Sequence, residues 1–187
     1  TTPVITGTAD SSDSLTVTVD GVTYSEGDGN LVDNGDNTWS LTIPAGNEIS
    51  PDGTYDVTAT ATDTAGNTAT DTTSGELIID TVAPTVPTVV SQTTNDTTPV
   101  ITGTADSSDS LTVTVDGVTY SEGDGNLVDN GDNTWSLTIP AGNEISPDGT
   151  YDVTATATDT AGNTATDTTS GELIIDTVAP TVPTVVS

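Results

Sequence analysis

Tyr55-Asp56-Val57-Thr58-Ala59-Thr60-Ala61-Thr62 alternates apolar and polar side chains from end to end. Successive side chains of a strand point to opposite faces, so this pattern predicts a strand with one buried face. Its inward set is Tyr55, Val57, Ala59 and Ala61, and the next member of that set is Asp63. Leu15-Thr16-Val17-Thr18-Val19 alternates in the same way, and the member preceding its inward set is Asp13. Val4 to Ala9, Thr38 to Ile43 and Glu76 to Ile79 predict further short strands, rich in β-branched residues. Asp20-Gly21, Gly27-Asp28-Gly29 and Asn34-Gly35 supply the turns between them. No window carries a helical stripe. The expected fold class is all-β, a sandwich of two sheets.

The same reading applies twice. Residues 1–91 recur letter for letter as 97–187, at a period of 96. That period is the size of a small domain and well above a solenoid unit, so two tandem β-sandwiches are expected. The segment Thr81-Val82-Ala83-Pro84-Thr85-Val86-Pro87-Thr88-Val89-Val90 reads as a linker entering a first strand, where proline is tolerated. The expected boundaries are therefore 1–81 for a first repeat without its opening strand, 82–177 for a complete second repeat, and 178–187 for the first strand of a following one.

Of 187 residues, 29 are acidic and none is lysine, arginine or histidine, giving a formal charge of −29. Nucleic acid is excluded as a partner, because phosphate binding rests on Lys and Arg. An anionic membrane surface is excluded on the same ground. Cysteine is absent, so no disulfide or thiolate site is available. No stretch approaches the roughly 18 apolar residues of a membrane-spanning helix, and no signal-peptide pattern opens the chain. An enzyme would have to work without His, Lys or Cys as base or nucleophile. No loop suggests the cleft that paired carboxylates need to cleave a glycoside.

The segments Thr2-Pro3-Val4-Ile5-Thr6-Gly7-Thr8-Ala9, Asn37-Thr38-Trp39-Ser40, Asp52-Gly53-Thr54-Tyr55, Ala61-Thr62-Asp63-Thr64-Ala65-Gly66-Asn67 and Ile79-Asp80-Thr81 resemble the bacterial immunoglobulin-like repeats of giant surface adhesins, including the RTX and biofilm-associated types. The resemblance covers the whole repeat, twice. It implies tandem immunoglobulin-like β-sandwich domains outside the cell, on a bacterial surface. It further implies an extender that carries a distant adhesive tip, with calcium at the junctions and neighbouring repeats as the immediate partners.

The residues themselves point to a cation site. Asp13 and Asp63 fall on the core register at strand ends, and no cationic side chain exists to pair with them. Backbone N–H donors, protonation or a metal ion are the alternatives. Asp, Asn and carbonyl oxygens together are the ligand set of Ca²⁺. In such a sandwich the loop from Asp10 to Asp13 and the loop from Asp63 to Asn67 share one end. Asp80 closes the last strand and leads into the second unit. It is therefore expected beside Asp106, Asp109, Asp159 and Asn163. The competing reading has these carboxylates capping their own turns.

Trp39 is expected in the core, with Leu41 and Ile43 on the same face. The row Thr58, Thr60, Thr62, with Thr68, Thr70 and Thr72 nearby, resembles the flat face of an ice-binding protein. Its plainer reading is a solvent-facing strand face. A filament whose subunits complete each other with a donated strand is the second structural reading. It is motivated by the first strand missing ahead of Thr1.

Overall fold

The structure, a computed structural model, describes residues 1–185. Val186 and Ser187, the end of the expected third-unit strand, lie outside the described residues. The chain divides into two units at Thr81 and Val82, and the described residues contain strands and turns but no helix.

The second unit is the complete sandwich. One layer is built from β10 (Thr88–Val89), β12 (Val100–Thr104), β16 (Thr134–Thr138) and β15 (Leu127–Asp129), in that order across the sheet. The facing layer runs β14 (Val118–Ser121), β13 (Ser110–Val115), β18 (Val153–Thr158), β19 (Thr164–Thr166). A third, three-stranded piece orders β11 (Gln92–Thr94), β20 (Leu173–Ile175) and β17 (Gly149–Tyr151), with β11 parallel to β20. The opening segment thus serves two sheets. Its first half pairs antiparallel with β12, and its second half crosses to β20.

The first unit repeats this plan from β1 (Val4–Thr8), β2 (Ser14–Val19), β3 (Val22–Ser25), β4 (Leu31–Asp33), β5 (Thr38–Thr42), β6 (Gly53–Tyr55), β7 (Val57–Thr62), β8 (Thr68–Thr70) and β9 (Leu77–Ile79). Its sheets are β1-β5-β4, β3-β2-β7-β8 and β6-β9. β1 is therefore a sheet edge, whereas its counterpart β12 is covered by β10.

The run from Tyr55 to Thr62 is not one strand, contrary to the sequence reading. It breaks at Asp56, and its two halves pair with different neighbours, β9 for β6 and β2 for β7. Acidic side chains hold the break. The Val57 N–H donates to Glu76 Oε2 at 3.0 Å, and Asp56 Oδ1 accepts from the Gly75 N–H at 2.8 Å. The alternation survives because the inward face is continuous across the break.

The expected hairpin at Asp20-Gly21 forms, with φ of 48° and 75°. Positive φ at both central residues matches the right-handed twist of the flanking strands. Each unit closes its own core. In the second unit it contains Ile101, Leu111, Val113, Trp135, Leu137, Ile139, Ile145 and Ile175. Trp135 lies across Gly103, its partner in the β12–β16 pair. A Cβ there would meet Trp135 Cε2 at 2.6 Å, so this position needs glycine for close approach rather than for an unusual φ.

Candidate functional site

The predicted site residues of the second unit fall on the loop from β12 to β13, which crosses between the layers, and on the loop from β18 to β19. β13 and β18 pair with Ser110 opposite Thr158, so the residues just beyond, Asp109 and Asp159, leave the sheet side by side. Loop 105–109 and loop 159–163 therefore share one end of the second unit. Asp10, Asp13, Asp63 and Asn67 share the equivalent end of the first unit, where Ser14 faces Thr62. Asp80 lies elsewhere. It follows β9, whose Ile79 pairs with Gly53 at the start of β6, so it stands at the opposite end of its unit from Asp63.

Two of the three predicted acids at the loop end of the second unit organise their own turns. Asp159 Oδ1 accepts from the N–H groups of Ala161 and Asn163, each at 2.9 Å, and Oδ2 accepts from the Asn163 side-chain amide. That amide, followed by the backbone donors, holds the Asp159 carboxyl below its ordinary range despite some burial. Asp63 is held low in the same way by Asn67. Asp106 Oδ1 accepts from Ser108 N–H and Oγ, and these lower its pKa too, as Ser12 does for Asp10.

Asp109 differs. Among the described residues no donor reaches its carboxylate. Desolvation raises its pKa, and the negative charges of Asp106 and Asp159 raise it further. An acid on the core register therefore sits half-buried beside two ionised neighbours.

Sequence reasoning missed a third loop at this end. The turn between β15 and β16 is laced to loop 105–109, with Ser107 Oγ donating to Asp129 Oδ1 at 2.8 Å and the Ser107 N–H to Asn133 Oδ1 at 3.2 Å. The stretch Asp33-Asn34-Gly35-Asp36-Asn37 signals its hairpin locally, but nothing in it announces the partner Ser11. Asp28, which the sequence marks only as a turn residue, and its counterpart Asp124 also organise their turns. Asp124 accepts three backbone N–H groups, from Ser121, Asn126 and Leu127, and those of Asn126 and Leu127 do most to lower its pKa.

The donor set at the loop end is all oxygen and all acid or amide, which is calcium chemistry. The geometry is that of turns. Among the described residues no three acidic side chains gather where they could hold an ion.

These depressed carboxylates fix a pH dependence. A group whose folded pKa lies below its unfolded value contributes stability that is present above the unfolded value, near 3.9 for Asp, and lost as pH falls through the folded one. The melting temperature is therefore expected to hold from neutral pH down to about pH 5 and to fall below about pH 4. Asp109 works in the opposite sense, gaining on protonation, as does relief of the overall negative charge. Circular-dichroism melts from pH 8 to pH 2, with Asp124→Ala flattening the acid limb, check this. A melting temperature that climbs steadily into acid would show that charge repulsion outweighs the turn carboxylates.

No curated protein matches the chain. Among solved structures, one described as bearing on host cell surface retention of a 1.5-MDa bacterial ice-binding adhesin matches at 25% identity and a TM-score of 0.43, over 93% of this chain and 58% of that one. This chain thus spans less than two thirds of that relative. The fibronectin(III)-like modules of Clostridium thermocellum CbhA match at 16% identity and a TM-score of 0.51, over 93% of this chain and 85% of theirs, which supports the sandwich fold. The family profile described as bacterial Ig-like domain matches residues 1–81 and again residues 88–177, the second match opening on the first residue of β10. The chain belongs to the bacterial Ig-like domain family, as two tandem copies of its β-sandwich.

Proposed function

We propose that the two units are non-catalytic extender repeats of a large bacterial surface adhesin, acting outside the cell and stiffened by calcium. The observation that carries the spacer reading is the exact repetition of a unit that closes its own core. A chain that needs only length gains from adding identical folded copies, whereas a catalytic site gains little from duplication without divergence. The motif resemblance to adhesin repeats and the absence of His, Lys and Cys point the same way.

The calcium reading rests on Asp109, a half-buried carboxylate with no donor among the described residues, close enough to Asp106 and Asp159 to feel their charge though not gathered with them around an ion. Asp106, Asp109, Asp159 and Asn163 would hold the ion in the second unit, as Asp10, Asp13, Asp63 and Asn67 would in the first. Asp80 is the ligand that chain order would bring to the junction. Because Asp106 and Asp159 serve their own turns, binding has to compete with those hydrogen bonds.

At about 100 times its dissociation constant, calcium contributes roughly 2.7 kcal/mol per site. Chelation is therefore expected to lower the melting temperature of both units, and Asp109→Ala to abolish the difference for the second unit while Asp116→Ala, in an exposed hairpin turn, keeps it. Magnesium is expected to substitute poorly, since it demands a near-ideal octahedron. Small-angle scattering of the two-unit chain should report a narrower spread of dimensions in calcium than in EDTA. Melting curves and scattering profiles that are the same in calcium and EDTA would overturn the calcium reading and leave a metal-free spacer.

A further inference from the structure

A pull along the chain enters the second unit at Val82 and leaves it at Thr177. Two strands lie directly in its path. β11 belongs to the entering segment, β20 leads out at Asp176, and the two pair parallel, with Gln92 opposite Leu173 and Thr94 opposite Ile175. Parallel pairing decides how the pull acts. Tension draws β11 toward its N-terminal end, beside Leu173, and β20 toward its C-terminal end, beside Thr94. The two pulls are opposed and run along the strands, so the evenly spaced bonds of a parallel pair are sheared together. At one end the Gln92 N–H donates to the Glu172 carbonyl at 2.7 Å, and at the other the Asp176 N–H donates to the Thr94 carbonyl at 3.0 Å. An antiparallel pair in this place would take both pulls at one end and open one bond at a time.

The two strands are anchored unequally. β20 is central in its sheet, with β17 on its other side, and its Leu173 and Ile175 are buried in the core. Glu172, also buried, accepts from the Val153 N–H through Oε2 at 3.0 Å. Past the strand, the Thr177 N–H and hydroxyl both donate to the Asp148 carboxylate at 2.8 Å. β11 is a three-residue sheet edge, and β10 ahead of it meets β12 over only two residue pairs. The bonds from β11 to β20 are therefore the longer hold on the entering segment.

We infer that the β11–β20 pair is a mechanical clamp, the element that has to rupture before a stretched unit unfolds. Forced unfolding reads the height of the unfolding barrier and not the equilibrium stability, so strand direction alone can make a small domain resist a pull. The clamp adds load-bearing to length. It is a property of one folded unit and depends neither on calcium nor on what the chain is attached to, so it stands or falls apart from the extender reading.

Optical tweezers on the 187-residue chain in EDTA test this. Cysteine is absent, so introduced cysteines are unique handles, and Ser91, Ser170 and Val178 are exposed and in no strand. Ser91→Cys with Val178→Cys shears the pair, whereas Ser91→Cys with Ser170→Cys pulls the same pair apart from one end. At equal pulling speed the rupture force is expected to be at least about twofold higher in the first geometry, because at least two bonds then share the load. Asp176→Pro removes the donor to Thr94 at the far end. It is expected to lower the force in the first geometry and to leave the second unchanged, where the Gln92 end opens first. Equal forces in the two geometries overturn the proposal, and so does a folded Asp176→Pro that ruptures at the original force. Should that variant not fold, the two geometries of the unaltered pair still decide.

Discussion

Trp135→Ala is expected to unfold the second unit under conditions where the first stays folded. Trp135 is among the largest fully buried side chains, belongs to the core of the second unit and lies against Gly103. Truncating a buried tryptophan costs about 3–5 kcal/mol, counting the lost transfer energy and the cavity left behind. A small domain has only about 5–15 kcal/mol to lose. The indole Nε1 has no hydrogen-bond partner among the described residues, so the substitution also removes a small desolvation penalty. That term is too small to reverse the sign.

The chain provides its own readout, because Trp39 and Trp135 are its two tryptophans. In the variant, fluorescence follows the first unit alone while circular dichroism follows both. The dichroism transition should split, with an early phase that fluorescence does not see. If instead the two signals shift together, the units unfold as one cooperative body, and the separate cores do not act separately.

What the sequence disclosed was whatever a strand writes into its own alternation. Val17, Val57 and Leu41 follow from period two, Asp20-Gly21 from the φ its turn requires, and the two units from the repeat. The same ruler placed Asp13 and Asp63 beyond the ends of neighbouring strands, and they are found there. What it could not disclose depends on partners distant in sequence. The break at Asp56 is set by Gly75 and Glu76, 19 residues on. Loop 9–13 is tied to a turn through Ser11 and Asp33, 22 residues apart. Between a turn cap and a metal ligand the residue type does not decide, since Asp serves both. The backbone N–H groups around Asp63 and Asp159 settle the first role, and only an ion titration reaches the second.

Gly103→Ala should convert the second unit into a copy of the first. An added Cβ would stand inside the contact distance of the Thr88 carbonyl and 2.5 Å from Trp135 Cζ2. The indole is fixed in the core and cannot retreat. β10 is a two-residue edge strand and can. Overpacking of this kind costs roughly 1–3 kcal/mol, and the least expensive relief is to let the opening segment leave. Its departure would expose Ala155, Ala157 and Glu172 as their counterparts are exposed in the first unit. The equivalent Gly7→Ala meets only the Trp39 indole, with no strand to displace. Hydrogen exchange separates the two outcomes. In Gly103→Ala the Val90 and Gln92 amides, which now donate to the Thr102 and Glu172 carbonyls, should exchange quickly, while those of β13 and β18 stay protected. If Val90 remains protected and the whole unit merely loses stability, the opening strand is an integral part of the core.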